Sequence, residues 1–199
     1  MTLKTIRFTS SHHSDYLHAT LIELREAINT APEVILLDIA ACVASPPWSI
    51  LAIDDVLRSR NRETKLITSA NSPLFGPDCL LWLAGDNRIM VPSGYLYIPL
   101  VAESAEDSEI FGATASMGNA VEVLDRAYEQ QTIASAALYL RGMHETVRRM
   151  SKFLPVRELA GREVPYAELQ ELYLIGGELD AFLHNLGSTA LPTPTPKIR

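Results

Sequence analysis

Val34-Ile35-Leu36-Leu37-Asp38-Ile39 is the most constraining stretch of this chain, because five of its six side chains are apolar. A near-continuous apolar run of this length is the pattern of a central parallel strand covered on both faces. The flanking sequence supplies the cover. Leu17, Leu21, Leu24 and Ile28 recur at helical spacing behind Ser14 or Asp15 as cap, and Ala31-Pro32 ends that helix. Trp48 to Arg60 carries Ile50, Ile53, Val56 and Leu57 on one face, with Arg58 and Arg60 in the last turn, where cations complement the helix dipole.

The alternation continues. Ile6-Arg7-Phe8 and Lys65-Leu66-Ile67-Thr68 read as further strands, and Pro77-Asp78 opens a helix from Cys79 to Ala84 with proline in its favoured first turn. Arg88 to Val91 and Tyr95 to Ile98 are two short strands around the turn Pro92-Ser93-Gly94. An acidic stretch from Glu103 to Glu109, expected as an exposed loop, precedes a helix from Asn119 to about Phe153, with Gly142 as its weak point. Pro165 to Leu174 is a shorter helix, Glu178 to Leu186 a last segment, and the Pro/Thr-rich stretch 187–199 an extended tail. The reading is one α/β domain over 1–186.

Composition narrows the partners. The formal net charge of −7 repels a polyphosphate backbone, so nucleic acid is not an expected partner. No segment approaches 18 uninterrupted apolar residues, and Met1 to Ser11 has no signal-type apolar run, so the expectation is a soluble, cytoplasmic protein without a membrane partner. Cys42 and Cys79 sit in apolar surroundings, which suits a reducing compartment. No cofactor is implied. His12, His13 and His18 have no Cys or Glu partner at ligand spacing, so no metal is expected either.

Two segments carry a family resemblance. Ser69 to Ile89, which contains Gly76-Pro77-Asp78 and Asp86-Asn87-Arg88-Ile89, resembles a strand-turn-helix of the Clp protease proteolytic subunits and the crotonases. On that element Clp subunits carry a nucleophilic serine and crotonases a glycine-rich oxyanion turn. Gly161 to Ile175 is similar to the late helix of both families. The implied fold is a spiral of repeated β-β-α units with a long handle-type helix. The chain length and the helix from Asn119 favour the Clp branch.

A serine peptidase needs a nucleophile, a base, a group orienting that base, and N–H donors for the oxyanion. The resemblance places Gly76 at the nucleophile position, with Ser72 four residues earlier. It places Tyr97-Ile98-Pro99 at the histidine position and Gly161 at the aspartate position, with Glu163 the nearest acid. The loop from Ala40 to Pro47, where a Clp subunit has its oxyanion glycines, has no glycine and ends in two prolines. In the crotonase alignment the comparable donor falls beside Pro77, which has no N–H. The implied site is degenerate.

One motif points the other way. Gly112-Ala113-Thr114-Ala115-Ser116-Met117-Gly118 is similar to the Clp nucleophile motif, with His144 downstream as a candidate base. Ser116 is otherwise a helix cap. Asp54-Asp55 reads as a solvated pair, since adjacent helical residues point apart, and Trp48 and Trp82 read as core or interface packing.

The resulting expectation is a catalytically degenerate, self-assembling Clp-like module. The alternatives are an active Clp-type peptidase using Ser116 or Ser72, and a crotonase-type acyl-CoA enzyme, for which no obvious basic cluster holds the phosphates. The expected partners are copies of itself in a cyclic homo-oligomer, with Val121, Leu124, Tyr128 and Leu138 at the interface, and active Clp-type subunits in a hetero-assembly.

Overall fold

The computed structural model describes residues 2–9, 14–40, 45–98, 122–172 and 174, with the backbone alone for residues 14–15, 122–134 and 136. The central apolar run becomes β2 (Val34–Ala40), flanked in parallel register by β1 (Leu3–Thr9) and β3 (Lys65–Ala70). A fourth strand, β5 (Asn87–Met90), pairs with β3, giving a parallel sheet in the order β1-β2-β3-β5. Both faces of β2 are buried, by different sets of residues. Ile35, Leu37 and Ile39 join the main core, whereas Val34 and Leu36 form a separate cluster with Ile67 and Ile89. Period-two alternation separates the two sets, so each side chain's face follows from its position in the strand.

Helices pack on the Ile35 face. α1 (Ser14–Asn29) contributes Leu17, Leu24 and Ala27, and α2 (Pro47–Arg58) contributes Ile50, Ile53 and Leu57. Pro47 starts α2, where its missing N–H leaves nothing unsatisfied. α1 already includes Ser14 and Asp15, and it ends where Ala31 takes a positive φ of 44° ahead of Pro32.

A second, smaller sheet stands beside the first. It is built from β4 (Leu74–Phe75), β6 (Tyr95–Tyr97) and β7 (Glu163–Pro165), with β4 parallel and β7 antiparallel to β6. The two strands around Pro92-Ser93-Gly94 therefore belong to different sheets rather than to one hairpin. Between β4 and β5 lies α3 (Asp78–Leu83), whose six residues are all buried.

α4 (Glu122–Met150) is the long helix, and it is continuous through Gly142. That glycine is a contact and not a weak point. A Cβ there would lie 2.9 Å from Cγ of Pro47, so its absence lets α4 press on the start of α2. Thr146 Oγ1 bonds back to the Gly142 carbonyl at 2.8 Å. α5 (Val156–Leu159) and α6 (Tyr166–Glu171) follow, so the late helix is shorter at both ends than its sequence span, and β7 takes its first residue.

Asp54 corrects a second expectation. It is not solvated but fully buried, and its Oδ2 accepts from Arg58 Nε and Arg149 Nη1, each at 2.7 Å. Arg149 also bonds Asp55 and Glu145, tying the end of α4 to α2. The acidic stretch, Cys42, His12, His13, the 178–186 segment and the tail lie outside the described residues.

Candidate functional site

The turn between β4 and α3 is set by Gly76, whose φ of 56° is a conformation that a residue with a Cβ adopts only under strain. Its N–H donates to the Tyr97 carbonyl at 2.9 Å, which fixes the turn against the end of β6. One residue further on, the Ile98 carbonyl accepts from the Gly161 N–H at 2.7 Å. Gly161 has a positive φ of 80°, again suited to glycine. Gly76 and Gly161 thus flank the end of β6, bonded to the successive carbonyls of Tyr97 and Ile98. Ile98 turns its side chain into the core, where it is fully buried.

The polar groups beside this turn were not singled out in the sequence. Asp78, the first residue of α3, has no exposed surface, and its Oδ2 accepts the Ser45 N–H at 3.3 Å. Asp78 Oδ1 and Ser45 Oγ are buried without a hydrogen-bond partner. Burial raises the Asp78 carboxyl to about 7, opposed by its bonding to Ser45, so near neutral pH it is shared between neutral and charged forms. Cys79 follows, also buried, with its thiol 3.4 Å from the Leu74 carbonyl. Burial, reinforced by the Asp78 charge, pushes that thiol far above its ordinary range, so no thiolate nucleophile forms here. The signal for Asp78 was its setting, a lone acid heading the apolar run Cys79 to Ala84.

The remaining candidates are spread out. Ser72 is half-buried in the turn between β3 and β4, and His144 lies half-buried within α4. Ser116 and Val121 lie outside the described residues, as do residues 41–44 of the loop after β2. Leu124 and Tyr128 lie on α4. Leu138 is 57% exposed, beside Tyr139 at 41%, and Tyr139 meets the exposed Trp48 ring edge-on at 6.3 Å. Trp82, by contrast, is buried and donates to the Ile89 carbonyl. His18 is exposed, and among the described residues no group of three or more His, Cys, Asp or Glu side chains could hold a metal. No helix among them is long and apolar enough to cross a membrane.

No family model matches the chain, and neither does any curated protein. The solved structures give a different result. The crystal structure of the ClpP protease catalytic domain from Plasmodium falciparum aligns with 96% of this chain and 88% of its own, at a TM-score of 0.60 and 13% identity. The fold is ClpP-like. The alternation of strands and helices around the Val34 to Ile39 run, and the segments Ser69 to Ile89 and Gly161 to Ile175, therefore indicated the correct architecture. Within the ClpP-like fold, Gly76 occupies the turn that opens a buried helix.

Proposed function

We propose that this chain is a catalytically degenerate, self-assembling protein of ClpP-like fold that acts as a structural or binding module. One observation carries the reading: Gly76 and Gly161 bond the successive carbonyls of Tyr97 and Ile98 at the end of β6, and none of Gly76, Ile98 and Gly161 has a side chain able to attack a carbonyl or move a proton. These are the positions to which the Clp resemblance assigns nucleophile, base and orienting acid. Among the described residues, the polar groups Asp78, Ser45 and Cys79 beside the turn are buried where a peptide could not reach them. Assembly is supported by the apolar surface that Leu138, Tyr139 and Trp48 leave open, since such surface favours association. Copies of the same chain in a closed ring are the first partner, and active Clp-type subunits the second.

A fluorophosphonate probe tests the reading directly. No serine should be labelled, and no peptide should be hydrolysed between pH 6 and 9. Labelling at Ser116 or Ser72, abolished by substitution of that residue, would establish an active peptidase instead. Saturable turnover of an acyl-CoA would favour the crotonase alternative.

A further inference from the structure

One segment corrects the expectation that no basic cluster exists, since four cations fall within the eight residues from Arg58 to Lys65. Arg58, Arg60, Arg62 and Lys65 line a pocket of about 410 Å³ together with Asp86 and Asn87. It lies at the N-terminal ends of β3 and β5, whereas Gly76 follows the C-terminal end of β3, so the pocket is separate from the site described above.

The pocket's single carboxylate is already committed. Asp86 Oδ1 accepts from Arg60 Nη2 at 2.8 Å, and Oδ2 accepts the Leu66 N–H at 2.8 Å. Arg60 is held in place by that bond and by two carbonyls, Leu57 at 2.9 Å and Thr64 at 3.3 Å. Three of its five N–H donors are thereby used, and the guanidinium is fixed with donors to spare. Arg58 is tied to Asp54 through Nε only. Among the described residues, the side chains of Arg62 and Lys65 have no hydrogen-bond or ion-pair partner, and both are exposed. Arg58, in the last turn of α2, has a structural role in balancing the helix dipole. Arg62 and Lys65, beyond the helix, have none.

We infer that this pocket binds a compact polyanion, a small molecule bearing phosphoryl groups. The volume falls within the range of small-molecule sites. Every lining residue is charged or an amide, which selects a strongly polar ligand over an apolar one. Planar guanidinium groups pair with phosphoryl oxygens through two parallel bonds. The C-terminus of α2 opposes an anion by about two- to five-fold in affinity, and its Leu57 carbonyl is already covered by Arg60. Each charge-assisted bond from Arg62 or Lys65 contributes about tenfold or more, so the cations prevail.

Isothermal titration of the full chain with inorganic pyrophosphate tests this at low salt, with citrate as the comparison polyanion. Saturable binding that is tighter than citrate, weakens with salt and falls about a hundredfold in the Arg62→Ala/Lys65→Ala variant is the expected result. That variant should melt at the wild-type temperature, since neither side chain supports the fold, and Arg25→Ala on α1 should bind as wild type. Absence of binding, equal or tighter binding of citrate, or an unchanged affinity in the double variant would each overturn the assignment.

Discussion

Replacing Arg149 with methionine isolates what fastens α4 to the rest of the molecule. Methionine keeps most of the buried stem and removes the charge. Asp54, with no exposed surface and an unpartnered Oδ1, would then retain only Arg58, whose side chain is 38% exposed. Removing one partner of a buried pair typically costs about 3–5 kcal/mol, because the other charge is left uncompensated. The surviving Arg58 bond lowers this to roughly 2–3 kcal/mol. For a chain of this size that is a fall in melting temperature of about 5–10 °C. Asp55→Asn is the control, since Asp55 is 62% exposed and its bond to Arg149 contributes less than about 1 kcal/mol. Asp54→Leu combined with Arg149→Met should recover most of the loss. Thermal and urea unfolding followed by circular dichroism reads all three variants. If Arg149→Met proves no more destabilising than Asp55→Asn, the buried carboxylate does not depend on Arg149 and the reasoning fails.

Asp78 makes a pH-dependent contribution. Its carboxyl rises in the folded protein from 3.8 to about 7, so its stabilisation is present below pH 4 and is lost as pH climbs through 7. The linkage relation gives an upper bound of about 4 kcal/mol. Asp78→Asn should therefore flatten the decline in melting temperature between pH 5 and pH 8, and a variant that keeps the wild-type slope would exclude Asp78 as its source. Gly142→Leu should cost about 1–3 kcal/mol by driving a side chain into Pro47, measured by urea unfolding; no loss would mean that α4 and α2 do not press together there. Leu138→Glu with Trp48→Glu should yield smaller species in sedimentation velocity at unchanged helical dichroism. A wild-type protein that already sediments as a 22.0 kDa monomer would refute the assembly reading.

Long-range pairing decided which features the sequence revealed. β2 and β3 were legible because their apolar runs are long enough to carry a pattern, and α2 because Ile50, Ile53 and Leu57 repeat at helical spacing. β4 and β7, two and three residues long, are too short to show any period. Asp54 looked like one half of a solvated pair because the arginine that holds it lies 95 positions away. Arg58 and Arg60 read as the cationic end of a helix and Lys65 as the start of a strand, and only Asp86 and Asn87, arriving with β5, turn that stretch into a pocket. At the candidate site, Gly76, Ile98 and Gly161 could be named from the resemblance. That backbone hydrogen bonds to Tyr97 and Ile98 would set Gly76 and Gly161 on either side of the end of β6 was invisible, because a carbonyl and an N–H are common to nearly every residue.

The small sheet also bears on the order in which the molecule folds. Each pairing in the large sheet joins strands separated by no more than one helix, whereas β6 must wait for β7, which the chain reaches only after the whole of α4 and α5. Closing so long a loop is entropically unfavourable until α4 has docked and shortened it. The Ile98–Gly161 contact therefore forms late, after the parallel sheet, and opens early under mild denaturant. Hydrogen exchange should find the Gly161 amide less protected than the amides of β2, so the end of the small sheet at Gly161 is also the place where unfolding begins.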